Sequence, residues 1–460
     1  MRAGLRIIVP VIALAVMSLS SVAAQESLLA TVFDEEVPTF AVVGFYANAA
    51  EAAVDGAWLL ELQRRHEAVA LRCAAVTAEE LAEPLPKALS GLLVRADERG
   101  ALRSKSIGLG ERGPIAIFCR GEQVAVIDPA HGVFATVAAV VAGTFDAAGT
   151  ARSDGAWQEL RHELADLSGA AATAALELRI RERPTCGDAR GVLFAAQRQK
   201  LADRTAAAAT AKAAVAALAN EPRALAAFVS LSLRSCGRDV EFATTLLEPL
   251  AAAASAQPSD LRLQLARLRA LVAAGEGREV GRLAHQLARG TEYVPALALE
   301  FVEILTGDPT PEVHKDLAAR VMGIAAERGA DPRTLSAVRF LHALRCEGDP
   351  QRAREVAVEA LEREPGRVSI NNEAWRWLTD VETAGRFDAF ALALVERMLE
   401  QKAALEFFEC DTAAMAMFRN GRVREAIELQ QLAIDRGGAQ PIYLERLQGY
   451  QQALRPATPR

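Results

Sequence analysis

The chain has 460 residues, room for two or three domains, and 51% of them are hydrophobic, 24% charged and only 5% aromatic. That apolar share excludes a disordered chain, and a net charge of -7 without a polybasic stripe excludes a nucleic-acid footprint. Abundant alanine with scarce Tyr and Trp favours packed helices over a sandwich or barrel, and six cysteines are too few for a disulfide scaffold.

Residues 1–24 read as an export signal. Arg2 and Arg6 form a basic start, and Ile7 to Leu19 is an apolar run broken only by Pro10 and Ser18. Val22 and Ala24 are small residues at the spacing a signal peptidase requires, so cleavage is expected after Ala24. The run is shorter than the ~20 residues of a spanning helix, which disfavours the competing reading, an uncleaved anchor. No cysteine near the cleavage site suggests a lipid anchor. No later segment reads as a span. The mature protein is therefore expected to be soluble and periplasmic or secreted, in a bacterial-type envelope where disulfides are permitted.

Residues 25–150 read as a small α/β domain. Pro38 to Ala47 is rich in β-branched and aromatic residues and predicts a buried strand. Ala49 to Arg65 predicts a helix, with Val54, Trp58, Leu59 and Leu62 on one face. Val69 to Val76, Pro114 to Cys119 and Gln123 to Ile127 predict three more strands. The last two are joined by a tight hairpin at Arg120-Gly121-Glu122. A helix over Gly132 to Val141 closes the domain.

This order resembles the thioredoxin fold. The residues that carry the resemblance are Phe45-Tyr46-Ala47 at a strand end, Gly113-Pro114-Ile115-Ala116-Ile117-Phe118 as a cis-proline loop and strand, and the 120–124 hairpin. It covers about 100 residues. The resemblance implies a Cys-x-x-Cys at the start of the following helix, where this chain has Ala50-Glu51-Ala52-Ala53. Redox exchange needs a thiolate at that helix start and a resolving thiol three residues on. Ala50 and Ala53 provide neither, so the domain is expected to be redox-inactive. Gly108-Leu109-Gly110-Glu111-Arg112-Gly113 is formally a G-x-G-x-x-G. A dinucleotide site needs a strand before it and a helix after it, and here Pro114 opens a strand instead.

Residues 155–455 read as all-α. Apolar residues recur with helical period, as in Leu261, Leu265, Leu268 and Leu271, and Gly, Pro and Asp punctuate them. Gly237, Gly275, Gly307, Gly348, Gly385 and Gly421 each end one helix before another. The interval is close to the ~34 residues of a tetratricopeptide unit. Over 333–455 the chain resembles that family. Gly348-Asp349-Pro350 is followed by Ala353, Ala357, Ala360 and Pro365, Gly385 by Ala391, and Gly421 by Ala426 and Ala433. The resemblance implies a solenoid whose concave surface is lined by the first helix of each pair and holds a peptide or another protein's helix. Candidate lining residues are Asn371, Asn372, Arg376 and Arg419, against the plainer reading of a solvated face.

No histidine lies at metal-ligand spacing with another ligand, and no nucleophile elbow or phosphate loop occurs, so neither metal nor cofactor is expected. Arg352, Arg354, Glu355, Glu359, Glu362 and Arg363 look like a charged outer face. Cys186-Gly187 and Cys236-Gly237 are similar turns that a disulfide can join. The thioredoxin resemblance implies that Cys73 and Cys119 lie on strands separated by Pro38–Ala47, so they are expected to be free buried thiols. The sequence thus points to an exported, non-enzymatic scaffold that binds a protein or peptide. Its rival is a thiol-exchange accessory or enzyme using Cys119, Cys186 or Cys236 outside the usual motif.

Overall fold

The computed structural model describes Glu26 and residues 28–34, 37–46, 49–77, 92–96, 115–120, 122–127, 130, 132–146, 157, 160, 161, 163, 164, 167, 169–199, 203–236, 239–292, 294–361, 367–380, 383–401 and 404–454. Residues 1–25, the glycine run at 108–113, Pro114 and Gly237 lie outside that set. So the signal-peptide, dinucleotide-loop and cis-proline expectations have no structural counterpart here. Two compact units emerge. One takes in Met1–Asp154 with Asn220–Ala224 and Ala253–Leu261, and the other takes in Gly155–Ala219, Leu225–Ala252 and Arg262–Arg460.

The first unit is built on a mixed five-stranded sheet. Its strands are β1 (Phe40–Tyr46), β2 (Arg72–Thr77), β3 (Leu93–Ala96), β4 (Ile115–Cys119) and β5 (Glu122–Ile127), in the order β3-β2-β1-β4-β5. Helix α1 (Ala49–Arg65) is the crossover between β1 and β2, and a crossover of that length permits the parallel pairing, with Val42 opposite Cys73. The short turn at Arg120, which takes a φ of 51°, instead sets β4 and β5 antiparallel. β4 also pairs antiparallel with β1, with Phe40 opposite Cys119. Cys73 and Cys119 are thus separated by β1 and both are free; Cys73 is buried as expected, whereas Cys119, the last residue of β4, is only half-buried.

Side chains alternate strictly across the sheet. Val42, Tyr46, Cys73, Ala75, Ile115 and Ile117 face one core with Trp58, Leu59 and Leu62 of α1 and with α2 (Val133–Val141). Trp58 lies 6.5 Å from Phe134, and the Arg65 guanidinium covers the same ring at 4.6 Å. Ala41, Val43, Phe45, Ala74, Val76, Ala116 and Phe118 face a second core, closed by Leu28, Leu29, Val32 and Phe33.

Two pieces of this unit differ from the sequence reading. The helical segment over 28–32 was not foreseen, nor was the edge strand β3. They are tied together, since the Arg95 side chain donates to the Val32 carbonyl at 3.1 Å and pairs with Asp34. β2 also begins later than expected, because Glu67–Val69 closes a 3-10 turn and Ala70 takes a left-handed conformation.

The second unit is all-helical. It is built from α3 (Gly169–Glu182), α4 (Gly187–Gln199), α5 (Arg204–Leu218), α6 (Pro222–Cys236), α7 (Val240–Ala256), α8 (Leu261–Ala274), α9 (Gly277–Thr291), α10 (Pro295–Thr306) and α11 (Lys315–Glu327). The series continues with α12 (Pro332–Leu341), α13 (Pro350–Leu361), α14 (Arg367–Thr379), α15 (Asp388–Leu399), α16 (Phe407–Arg419), α17 (Val423–Gly437) and α18 (Pro441–Leu454). Helices α6, α7 and α8 each have one end in the first unit. A single π-helical turn, His342–Cys346, extends α12. Among the described residues, no helix is long and apolar enough to cross a membrane.

Gly275, Gly348, Gly385 and Gly421 take φ values of 77°, 65°, 79° and 78° at the turns before α9, α13, α15 and α17. Only glycine adopts that geometry freely. Gly307 departs from the series with a φ of -85°. Ala353, Ala357, Ala391, Ala426 and Ala433 are buried, and their small side chains let neighbouring helices approach closely. Successive helices pack as hairpins (α12 on α13, α14 on α15, α16 on α17). Alternate helices also touch, α13 with α15 and α14 with α16. Together the two units give a small α/β domain and an array of helical hairpins.

Candidate interaction surface

The first helices of the hairpins carry charges on faces that are otherwise apolar. Arg234 on α6, Arg269 on α8 and Glu300 and Glu303 on α10 converge within the second unit, joined by Arg386 from the turn before α15. Arg269 donates two parallel hydrogen bonds to Glu303, at 3.0 and 2.7 Å, and a longer one to Glu300 at 3.3 Å. Arg234 lies 3.6 Å from Glu300, and the Arg386 Nε lies 3.4 Å from Glu303. All five side chains are largely withdrawn from solvent.

Charge balance sets their ionisation. Burial alone would push the Glu303 carboxyl up, but Arg269, Arg386 and Arg234 more than offset it and hold it well below the usual range. Burial and the repulsion of Arg386 and Arg269 pull Arg234 down to about 9, which leaves it charged at neutral pH. Three guanidiniums therefore face two carboxylates, and Arg386 also stacks on the Phe387 ring at 4.9 Å. The turn that brings Arg386 in is tight: a Cβ on Gly385 would lie 2.8 Å from the Arg234 carbonyl oxygen. Side chains of α6, α8 and α10 are thus joined by the chain's own buried ion network.

A second network occupies the first helices near the C-terminal end. Arg446 of α18 pairs with Asp411 of α16, and its guanidinium lies 5.1 Å from the Trp375 ring of α14. Gln430 donates to the other Asp411 oxygen at 3.0 Å, and Phe418 stacks on Tyr450 at 4.4 Å.

The four residues expected to line a binding surface divide. Asn371 is buried on α14, and its side-chain oxygen accepts no hydrogen bond among the described residues. Asn372 and Arg376 are exposed on the same helix. Arg419 is half-buried in the last turn of α16, where its charge acts on Asp388 and on Tyr450. Arg376 and Arg419 share a last-turn position on successive first helices, but no contact joins them among the described residues. The residues that do form networks were not singled out from the sequence. The available signal was a charge inside an apolar run, as with Arg269 in Leu268-Arg269-Ala270-Leu271 and Glu303 in Phe301-Val302-Glu303-Ile304.

The second helices present a different surface. A groove of about 790 Å³ lies among α13, α15 and α17, with Leu399, Leu429 and Leu432 as its apolar lining together with Met417 of α16. Its rim carries Glu396, Glu400, Glu425 and Glu428 against Arg354 and Arg422. Arg422 is engaged by both Glu396 and Glu425.

All six cysteines are free, so the Cys186–Cys236 bridge that their similar turns suggested is not formed. Cys186 is buried among Trp157, Leu176, Ala189 and Leu193, a setting that packs a thiol on its own helix pair. Burial pushes Cys73 far up and raises Cys236 and Cys346 to about 11. Burial raises Cys410 too. Ala50 and Ala53 lie in the first turns of α1, immediately after β1. Compared with models of protein families and with curated proteins, the chain matches none.

Proposed function

We propose that this chain is an exported, non-enzymatic interaction scaffold. A redox-inactive, thioredoxin-like α/β domain accompanies a tetratricopeptide-like array that binds a protein or peptide partner. The observation that carries the reading is the regular hairpin array, with left-handed glycines at its turns, buried alanines between its helices and a groove on its second-helix face. Such an array multiplies one surface along the chain, and surface rather than reactive side chains is what it offers a ligand. The thioredoxin-like reading of the sheet domain is supported by the β1-α1-β2 crossover followed by the β4-β5 hairpin.

The rival reading, thiol exchange by unusually placed cysteines, is opposed by the environment of the thiols. Of the cysteines that reading names, Cys186 is buried and burial raises Cys236 to about 11, whereas a nucleophilic cysteine needs access and a depressed pKa; burial raises Cys73, Cys346 and Cys410 as well.

Affinity capture tests the proposal. The full chain, immobilised and exposed to an envelope extract, is expected to retain a defined protein at constant stoichiometry. Retention of nothing above a bare-matrix control would refute it.

A further inference from the structure

We infer that the groove among α13, α15 and α17 docks a basic amphipathic helix of the partner protein. The inference rests on the scaffold reading and assigns the interaction to the second-helix face, not the first-helix face that the repeat resemblance suggested.

The first-helix face is already occupied by the chain itself. Arg446 of α18 reaches Trp375 and Asp411 on α14 and α16, and Arg234, Arg269, Glu300, Glu303 and Arg386 form a buried network of their own with α6, α8 and α10. The second-helix groove is open, and its apolar side chains are large. Leu429 and Leu432 stand three residues apart on α17, forming a ridge into which the apolar stripe of another helix can interdigitate.

Charge selects the occupant. Four carboxylates stand against Arg354 and Arg422 in the lining and Arg397 beside Glu400, which leaves the rim acidic by one charge, within a chain whose net charge is -7. Glu428 is exposed and makes no ion pair among the described residues, and Glu400 has only the exposed Arg397, at 2.8 Å. Lysines and arginines flanking an apolar stripe match this rim, whereas an acidic helix is repelled by it. A second copy of the chain is disfavoured on the same ground, because a two-fold interface would set one acidic rim against another.

The experiment uses the full chain and three fluorescent peptides, each about 18 residues long. The first has leucines at helical spacing with lysines between them. The second has glutamates in place of the lysines, and the third has the first peptide's composition in scrambled order. Only the first is expected to raise the anisotropy. Glu400→Lys with Glu428→Lys should weaken its binding about tenfold or more, while Arg376→Glu on the first-helix face should leave it unchanged. Glu400 and Glu428 are both exposed, and circular dichroism checks that the double variant keeps its helices.

The inference is overturned if the scrambled peptide binds equally or if the double variant binds as the parent does. Loss of binding in Arg376→Glu also overturns it, as does self-association that the double variant abolishes. Capture separates this inference from the reading beneath it. If the double variant retains the same protein as the parent chain, the groove assignment falls and the scaffold stands. If neither retains any, both fall.

Discussion

Replacing Glu303 with glutamine should destabilise the helical unit severely for so small a change. The side chain keeps its volume and an acceptor, but the network passes from three cations and two anions to three cations and one. Arg269 loses the carboxylate that received two of its hydrogen bonds, and Arg386 loses an anion 3.4 Å away. Removing one partner of a buried ion pair costs about 3–5 kcal/mol, because the remaining charge cannot regain its water. With a urea dependence of roughly 3 kcal/mol per molar, the unfolding midpoint by far-ultraviolet circular dichroism should fall by about 1–1.7 M. Arg269→Leu with Glu303→Leu removes both partners and should cost less than Glu303→Gln alone, since a buried pair offsets little more than its own desolvation.

The pH dependence has a definite sign. The folded Glu303 carboxyl is held below its ordinary value of 4.5, so its contribution is full above that value and is lost as pH falls below it. The parent should therefore lose stability in acid more steeply than Glu303→Gln. A glutamine variant that loses less than about 1 kcal/mol, the scale of an exposed pair, would refute the description of this network as buried and mutually dependent.

Four further outcomes follow from the same structure. Gly385→Ala should destabilise more than Gly275→Ala. Both glycines have positive φ, which costs alanine about 1–2 kcal/mol, but only at Gly385 does the new Cβ meet a backbone carbonyl, so equal midpoint losses would count against that turn. Glu221 accepts hydrogen bonds from the Phe134 and Ala135 amides at the start of α2, and burial pushes its carboxyl up to about 7 against those bonds and Arg65. The folded state then holds the proton more tightly between pH 4.5 and 7, so stability should fall as pH rises through that window, by up to about 3 kcal/mol, and Glu221→Gln should abolish the slope. Phe33→Ala should cost the sheet unit about 3–5 kcal/mol, a loss that an unchanged melting transition would contradict. Thiol titration at pH 8 should label Cys73, Cys236, Cys346 and Cys410 only after denaturation, and rapid native labelling of any of them would revive the thiol-exchange reading.

What the sequence revealed was what periodicity and turn chemistry encode. Continuous apolar runs rich in β-branched and aromatic residues at 40–46 and 115–119 located two central strands, and Trp58, Leu59 and Leu62 located the buried face of α1. The glycines at 275, 348, 385 and 421 marked real left-handed turns, because no other residue takes that backbone without strain. The edge strand β3 was invisible, since Leu-Val-Arg-Ala is too short to show a period. The segment over 28–32 was obscured by its position next to an export-signal pattern.

The candidate surface was less legible than the fold. Of the residues expected to line a binding surface, Asn372 and Arg376 are exposed, whereas Asn371 is turned inward. Glu303 and Arg386 lie more than eighty residues apart in sequence, and no local pattern announces that they meet. The groove owes its character to side chains from α13, α15, α16 and α17 together, a juxtaposition that only packing creates.

The most direct test is hydrogen exchange on the full chain, alone and with the protein that it captures. The scaffold account expects new protection on the helical array, concentrated in α15 and α17 around Leu399, Leu429 and Leu432. Protection confined to the sheet domain, between Phe40 and Val141, would contradict it.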